Sequence, residues 1–507
     1  MFSRFSGIII IFFVAITICA SQNTKENADF KLAVNLFNDK LYDLSLEQFK
    51  QFISTFPSNP QSIEAKFYIA LANRALKKND DAKASFQNFA LTYPEHARAA
   101  EAWWNIGEMF SEEMRYGDAA SAFERIKVFN PKSKLAPKAL LTASDYFELA
   151  GDADNAKRCL RSLVSDYPTN ELVTIAHAHL GTFYTRENNL LAARKELLMA
   201  VEGGGDKELR ASVTLQLGKI AEAFGTPAEA EELYRSIIEE KKSEVSLKTV
   251  GQAKLQLGRL YFSSGRQKDA VDIFQKLSTD SLKLSREIVQ QSSLALGSSY
   301  LTNREFKKAA DANERSLRYV SDSSLVVPAL LGVGRAYDAL KEYRKSLAAY
   351  SAISELPATH PEKRYALLRS ATLSSALHEY EAAGRYFSHY AELFPSDEET
   401  PEILYRIGEL YRVNIRDPHR AIDVYTAFLM KYPQHEKSDD ATYALGLAHE
   451  ALQETNDALQ SYDDVMKKYP ASTFALQARD RRDFLKSYKS PDTERTWQEL
   501  ARLIGDL

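Results

Sequence analysis

The 507-residue chain has 45% hydrophobic and 26% charged residues, a composition that excludes an intrinsically disordered protein. Its 65 Lys and Arg residues nearly balance 69 Asp and Glu residues, for a formal net charge of −4, and the two signs are interspersed. Because nucleic-acid binding depends on a basic surface that neutralises phosphates, this charge pattern argues against nucleic acid as a partner.

The first twenty residues have the pattern of a secretory signal peptide. Arg4 precedes an apolar run at residues 7–18, and the small residues Ala20 and Ser21 follow. The run is shorter than the roughly 20 apolar residues that span a membrane. We therefore predict an exported protein from which residues 1–20 are removed by cleavage after Ala20, with cleavage after Ser21 as the alternative.

The two cysteines bear on membrane attachment and on stability. Cys19 invites comparison with bacterial lipoproteins, although the bulky Ile18 departs from their pattern. Membrane association is expected only through such a lipidated N-terminus or an uncleaved one. If Cys19 is removed, Cys159 is the remaining thiol, so no intramolecular disulfide can form. We predict that Cys159 is a half-buried structural thiol within a helix.

A fixed period organises the rest of the chain. One small residue recurs at intervals of 37 residues in eight cases of eleven, and the other intervals are 40, 39 and 38. This first set is Ser45, Ala82, Ala119, Ala156, Ala193, Ala230, Ala270, Ala309, Ser346, Ala383, Ala421 and Ala458. A second small residue lies twelve positions earlier, or thirteen in the case of Gly408; this second set is Ala33, Ala70, Gly107, Ser144, Gly181, Gly218, Gly258, Gly297, Gly334, Ala371, Gly408 and Gly446.

A large apolar side chain follows each member of the first set by four positions, as Phe123 follows Ala119, with Asn313 as the exception. Polar breaks such as Tyr116-Gly117-Asp118 separate the two small residues, and there Gly would end one helix while Asp caps the next. Each unit is therefore predicted to be a helix, a tight turn and a helix. Small residues allow the two helices to cross closely, and the large residue fills the groove toward the neighbouring repeat.

These units predict an all-α superhelix, or solenoid, of about twelve helical hairpins, because one hairpin cannot bury its apolar face alone. Three glycines, Gly203, Gly204 and Gly205, interrupt the array and form either a hinge or a plain flexible loop. The predicted blocks are residues 26–202 for repeats 1–5, 206–325 for repeats 6–8, 326–473 for repeats 9–12, and 474–507 for C-terminal capping helices.

Beyond Pro470, a helix at residues 474–488 is expected to seal the last repeat. A second apolar stripe follows, and it packs either on the array or on a partner. Its members are Trp497, Leu500, Ala501, Ile504 and Leu507.

The units resemble the tetratricopeptide repeat family, whose pattern has a large residue, Leu-Gly, Tyr, Ala, an aromatic and a closing Pro. The third repeat matches with Trp103, Gly107, Phe110, Ala119, Phe123 and Pro131. Endings such as Tyr167-Pro168 and Tyr432-Pro433 are similar to the variant in BamD-like outer-membrane assembly lipoproteins and the Tol-Pal system coordinator. The resemblance implies a scaffold that binds other proteins in the periplasm or at the outer membrane of a Gram-negative-type bacterium.

The resemblance also implies which side chains contact a partner, since in this family the first helix of each repeat lines the concave face. The side chain three residues before the crossing Gly or Ala, and the one four residues after that, point into this face. An apolar stripe there suits an extended segment or an amphipathic helix, unless neighbouring side chains cover it; Trp104 is the first choice as an anchor. The predicted partner-binding residues are Phe67, Trp104, Leu141, Arg259, Arg335, Tyr405 and Tyr443.

No catalytic or cofactor motif stands out in the sequence. His177 and His179 are two positions apart, so they point to different sides of a helix, and Gly332-Val333-Gly334 lacks the third glycine of a dinucleotide loop. The repeats leave no block of about 100 residues for a catalytic domain. We therefore expect no enzyme activity, no cofactor and no metal. The leading hypothesis is a periplasmic protein-interaction scaffold for envelope assembly; the alternative is a peptidoglycan- or glycan-binding envelope protein without catalysis.

Overall fold

The structure is a computed structural model that describes residues 25–240, 244–280 and 283–488. All regular elements in these ranges are helical, and this confirms the predicted all-α array of helical hairpins. The predicted signal peptide, with Cys19 and Ala20, and the second apolar stripe at residues 497–507 lie outside the described residues. Within the described part, no helix combines the length and apolar character needed to cross a membrane.

The chain divides into two compact units whose boundary falls between Ala253 and Lys254. The first unit contains helix α1 at residues 25–38. The helices that follow are α2 Tyr42–Thr55, α3 Gln61–Ala75, α4 Asn79–Thr92, α5 Ala99–Glu112, α6 Tyr116–Phe129, α7 Ala136–Leu149, α8 Ala153–Asp166, α9 Leu172–Arg186, α10 Leu190–Glu202, α11 Lys207–Ala223 and α12 Pro227–Glu239.

Helix α13, Leu247–Ser263, contains the boundary, and the second unit continues from it. Its helices are α14 Gln267–Thr279, α15 Arg286–Thr302, α16 Phe306–Arg318, α17 Val326–Ala339, α18 Tyr343–Ser354, α19 Pro361–Ala376, α20 Tyr380–Leu393, α21 Thr400–Glu409, α22 Pro418–Lys431, α23 Ser438–Ala451, α24 Thr455–Lys468 and α25 Phe474–Tyr488. Each odd-numbered helix before α25 pairs with the even-numbered helix after it. Helix α25 packs on α24 through the fully buried Ala478.

The two sets of small residues meet inside each hairpin. Ser45 donates a hydrogen bond to the Ala33 carbonyl oxygen at 2.9 Å, and Ser346 donates to Gly334 at the same distance. The large side chain four positions later lies on the small residue of its own hairpin: a Cβ built on Gly107 would stand 2.7 Å from the Phe123 ring. Phe123 also stacks on Tyr146 of the next hairpin, with ring centroids 5.5 Å apart. The predicted groove-filling role therefore holds, and it extends to both hairpins.

The tight turns share a backbone conformation rather than a residue type. In each hairpin of the described chain, one turn residue has a φ between +57° and +79°, the left-handed region that favours Gly. Only three of these twelve residues are glycines. The twelve turn residues are Lys40, Lys77, Met114, Gly151, Asn188, Gly225, Gly265, Arg304, Lys341, His378, Arg416 and Gln453.

The turn at Tyr116-Gly117-Asp118 corrects one sequence prediction. Helix α6 begins at Tyr116, so Gly117 is already helical, and Met114 is the residue with positive φ, at 57°. Asp118 does not cap the helix; its carboxylate pairs with Arg115. In the corresponding turn of the next repeat the prediction is right. Gly151 has a φ of 79°, and the Asp152 side chain accepts a hydrogen bond from the Asn155 backbone N–H at 3.1 Å.

The closing aromatic-Pro pairs mark the ends of the second helices, because the residue before a proline is disfavoured in helical conformation. Helix α8 ends at Asp166, immediately before Tyr167-Pro168. The Tyr167 hydroxyl donates to the carbonyl oxygen of Pro131 at 2.7 Å. Tyr469 donates in the same way to Pro433 at 3.1 Å. A tyrosine at this position therefore ties one inter-repeat loop to the preceding one.

Two irregularities in the repeat have local causes. The extra residue between Gly408 and Ala421 is accommodated as a π-helical turn at Leu410–Ile415, which ends at Arg416 in the left-handed conformation. Gly204 and Gly205 have φ values of 89° and 78°. These positive φ values explain why glycine occupies both positions. The hinge at Gly203, Gly204 and Gly205 stays a prediction.

Candidate functional site

A groove of about 920 Å³ opens beside Trp104 in the first unit. Helix α5 supplies Trp104, Glu101 and Glu108 to its lining, and α7 supplies Lys138. The loops that precede these helices, at residues 94–97 and 130–135, complete the walls. Asn130 joins the two loops, because its Nδ2 donates to the carbonyl oxygen of Pro94 at 2.6 Å. The groove is therefore formed by two neighbouring repeats, and helices α5 and α7 position its lining residues.

Trp104 is held in one orientation but remains partly exposed. Its ring meets Phe123 edge to face, with centroids 4.9 Å apart, and its Nε1 donates to Glu108 Oε1 at 2.9 Å. Lys138 Nζ lies over the ring, 5.0 Å from the centroid, within range of a cation–π attraction. An aromatic side chain fixed in this way can contact a partner with little loss of conformational entropy.

Glu108 connects Trp104 to the preceding repeat. Arg74 donates to Glu108 Oε2 at 2.8 Å, to Glu112 at 2.7 Å and to Asn105 at 2.6 Å. Burial opposes the charged form of Arg74, yet its hydrogen bonds to the two glutamates outweigh this effect and raise its pKa. The carboxylate that orients Trp104 is thus itself neutralised by an arginine.

The other predicted contact residues of the first unit differ in exposure. Phe67 is fully buried against Phe86 and Phe89, so it has no surface to offer a partner in this conformation. Leu141 is partly buried and packs against the core. Of the three residues predicted in this unit, Trp104 is the one that lines the groove.

In the second unit, Arg259 and Arg335 are exposed. The two predicted tyrosines, Tyr405 and Tyr443, contact other side chains of the protein. The Tyr405 hydroxyl donates to Asp440 Oδ2 at 2.6 Å, and burial together with this bond raises the pKa of Tyr405. Tyr443 stacks on Phe474 of α25, with centroids 5.3 Å apart. Helix α25 therefore covers part of the surface that the sequence assigns to partner binding.

His177, His179 and Gly332 each contact a nearby polar side chain. His177 Nδ1 lies 2.7 Å from Glu196, whereas His179 lies 3.6 Å from Asp145, so the two rings face different partners. A Cβ on Gly332 would stand 2.5 Å from Asn313 Cγ. Gly332 therefore allows close packing against Asn313.

The structure brings together one group that the sequence reading missed. His449, Glu454 and Asp457 place one potential metal-ligand atom each within 4.8 Å of one another, across the turn between α23 and α24. His449 Nδ1 is 2.7 Å from Glu454 Oε2. This contact between His449 and Glu454 is enough by itself to explain why the two side chains lie close together.

A basic wall of the groove was also missed. Lys132, Lys134 and Lys138 are exposed and line one side of the groove. Their spacing in the run Pro131-Lys-Ser-Lys-Leu-Ala-Pro-Lys138 is visible in the sequence. The repeat pattern drew attention to the periodic apolar positions, whereas these lysines belong mainly to the connecting loop.

Five segments of the chain match the model of the tetratricopeptide repeat, at residues 64–96, 138–170, 252–280, 402–435 and 440–472. The first two segments begin within α3 and α7, and the last two within α21 and α23. The chain therefore contains tetratricopeptide repeats, and this class of repeat protein binds other proteins. No curated protein sequence matches the chain.

Several solved structures are similar to parts of the chain. The pilF protein of Pseudomonas aeruginosa is 19% identical, with a TM-score of 0.35, and the match covers 45% of this chain and 95% of that protein. A tetratricopeptide repeat protein from Parabacteroides merdae is 17% identical, with a TM-score of 0.32, and the match covers 54% of this chain and 98% of that one. The P58(IPK) tetratricopeptide repeat domain is 15% identical, with a TM-score of 0.24, and the match covers 77% of this chain and 99% of that domain.

Proposed function

We propose that this protein is a scaffold without catalytic activity that binds a segment of another protein in the groove beside Trp104. The observation that carries the proposal is the combination of a groove of about 920 Å³ with an aromatic side chain that is oriented by Glu108 and remains partly exposed. Aromatic residues of this kind dominate the energy of protein interfaces.

We further propose that the scaffold works outside the cytoplasm, in cell-envelope assembly. Support for export comes from the signal-peptide pattern of residues 1–20, and support for the envelope comes from the aromatic-Pro endings of the repeats. Fractionation of cells that carry the full chain tests the first point. Recovery of an uncleaved protein in the cytosol would refute export.

Photo-crosslinking in native cells tests the binding site. Photoreactive p-benzoylphenylalanine would replace Trp104 in one variant and Lys134 in a second, and both positions line the groove. Ser121 is exposed on α6 and is absent from the groove lining, so the same substitution there is the matched control. We expect both groove variants to capture the same small set of envelope proteins, as identified by mass spectrometry, and the control to capture none of them.

The same experiment separates the protein scaffold from the glycan alternative. Capture from Ser121 but not from position 104 or 134 would contradict protein binding in this groove. Co-sedimentation of the protein with purified peptidoglycan sacculi, weakened by Trp104→Ala, would then favour a glycan ligand.

A further inference from the structure

We infer that the partner segment bound in the groove beside Trp104 is acidic, with an apolar or aromatic side chain next to its carboxylates. This inference rests on the proposed function and adds the chemistry of the partner. It follows from how the charges around the groove are paired, rather than from their total number.

Two of the three glutamates that line the groove have an arginine nearby. Glu108 accepts from Arg74 at 2.8 Å and from Trp104 Nε1 at 2.9 Å. Glu101 lies 4.0 Å from Arg98, which also pairs with Glu64 at 2.8 Å. Glu95 is the one lining glutamate that has no cationic partner among the described residues.

The basic wall shows the opposite situation. Within the described part of the chain, no carboxylate pairs with Lys132, Lys134 or Lys138, although all three line the groove. Lys138 contacts the face of Trp104, and the other two lysines extend into solvent from the loop before α7. Unpaired cations on one wall of a groove attract and orient an anionic partner.

The position of Trp104 defines the second requirement. Its ring contacts Lys138 of the basic wall, with Nζ 5.0 Å from the ring centroid, and its Nε1 donates to Glu108. A peptide whose carboxylates meet the lysines therefore places an adjacent side chain against the indole. Apolar contact with the ring would supply affinity, whereas the lysines select the charge of the segment and accelerate association.

Selection of peptides from a phage-displayed random library on the intact protein tests the inference. We expect the enriched sequences to carry Asp or Glu beside an aromatic or aliphatic residue. The double variant Lys132→Glu/Lys134→Glu should weaken a selected peptide by about tenfold or more, and added sodium chloride should also weaken it. Fluorescence polarisation of the labelled peptide gives the dissociation constants.

A matched control makes the same charge change elsewhere in the first unit. Lys50 on α2 and Lys195 on α10 are exposed and do not line the groove, so Lys50→Glu/Lys195→Glu should leave peptide binding within about twofold of the parent. Trp104→Ala should weaken the selected peptides regardless of their charge.

The outcomes distinguish this inference from the proposed function. Enrichment of neutral or basic peptides that still require Trp104 would overturn the acidic partner and leave the groove as the binding site. Peptides that bind equally well to Trp104→Ala would overturn both, and so would a library from which no sequence is enriched. If the two double variants lost peptide binding equally, the net charge of the protein would explain the effect. The proposed role of the basic wall in binding would then be wrong.

Discussion

The ring of Tyr462 lies directly on Gly446, so that a Cβ built on the glycine would stand 2.5 Å from Cε1 of the tyrosine. The Tyr462 hydroxyl continues past this contact to donate a hydrogen bond to Glu450 at 2.7 Å. Burial, followed by this bond, raises the pKa of Tyr462. The glycine is thus required by a close approach between two helices, and the same relationship recurs between Gly258 and Phe274.

Replacement of Gly258 by Ala tests that relationship. The added Cβ would meet Phe274 Cε1 at 2.5 Å, and overpacking of this kind destabilises a core by about 1–3 kcal/mol. We expect a lower urea midpoint, measured by circular dichroism. Gly117→Ala is the matched control, because nothing lies within 4 Å of its Cβ position in α6; there the helix should gain roughly 0.5–1 kcal/mol. Destabilisation of both variants to the same extent would contradict the packing account.

Replacement of Met114 by Gly should stabilise the protein. Met114 has a φ of 57° and is 74% exposed, so it bears the strain of the left-handed conformation without burying its side chain. Relief of that strain stabilises the folded protein by about 1–2 kcal/mol. The greater conformational freedom of glycine in the unfolded chain offsets about 0.4–1 kcal/mol of this gain. Differential scanning calorimetry should show a rise in Tm for Met114→Gly and a fall for Gly151→Ala. A fall in Tm for Met114→Gly would mean that the left-handed conformation of residue 114 does not limit the stability of the protein.

Replacement of Asn313 by Leu should also raise stability. Asn313 is 1% exposed, and its Oδ1 has no hydrogen-bond donor among the described residues. An unsatisfied buried polar atom is unfavourable by about 1–3 kcal/mol. Leucine has nearly the same shape, and Leu197 already packs on Gly181 in the corresponding position of its repeat. Chemical denaturation compares the variant with the parent; Asn313→Asp, which adds a buried charge, should be less stable than either.

Cys159 should be inert in the folded protein. Its side chain is fully buried, a correction to the half-buried position that the sequence predicted, and burial raises the pKa of the thiol to about 12. Near pH 8 the reactive thiolate is therefore scarce. In a Cys19→Ser background, Ellman's reagent should modify Cys159 only after denaturant is added. Rapid modification of the native protein would show that α8 opens readily.

Much of the hairpin packing could be predicted from the sequence, because contact between two antiparallel helices depends on side-chain size at a fixed spacing. The period of 37 residues placed Ser346 twelve positions after Gly334, and the two are joined by a hydrogen bond. The single thirteen-residue spacing before Ala421 marked the π-helical turn at Leu410–Ile415. These features are local, so the order of residues along the chain carries them.

The turns and the groove could not be predicted in this way. Met114, Lys341 and His378 share a left-handed conformation that none of these residue types favours, because the closing of the two helices imposes it. The resemblance to the repeat family selected Trp104 as a contact residue, but it did not predict the groove, whose other wall comes from residues 130–138 of the neighbouring repeat.

By itself the sequence determined the class of fold, the period of the repeat and which positions pack inside the hairpins, since all of these follow from periodic side-chain size. Only the tertiary structure decided that Phe67 is buried and that Trp104 is oriented by Glu108. It also decided that three lysines with no carboxylate partner in the described part of the chain line the same groove. The physical reason is that exposure and charge pairing depend on how one hairpin is placed against the next. Residues of different repeats, more than thirty positions apart, determine which charges are neutralised, as Arg74 does for Glu108.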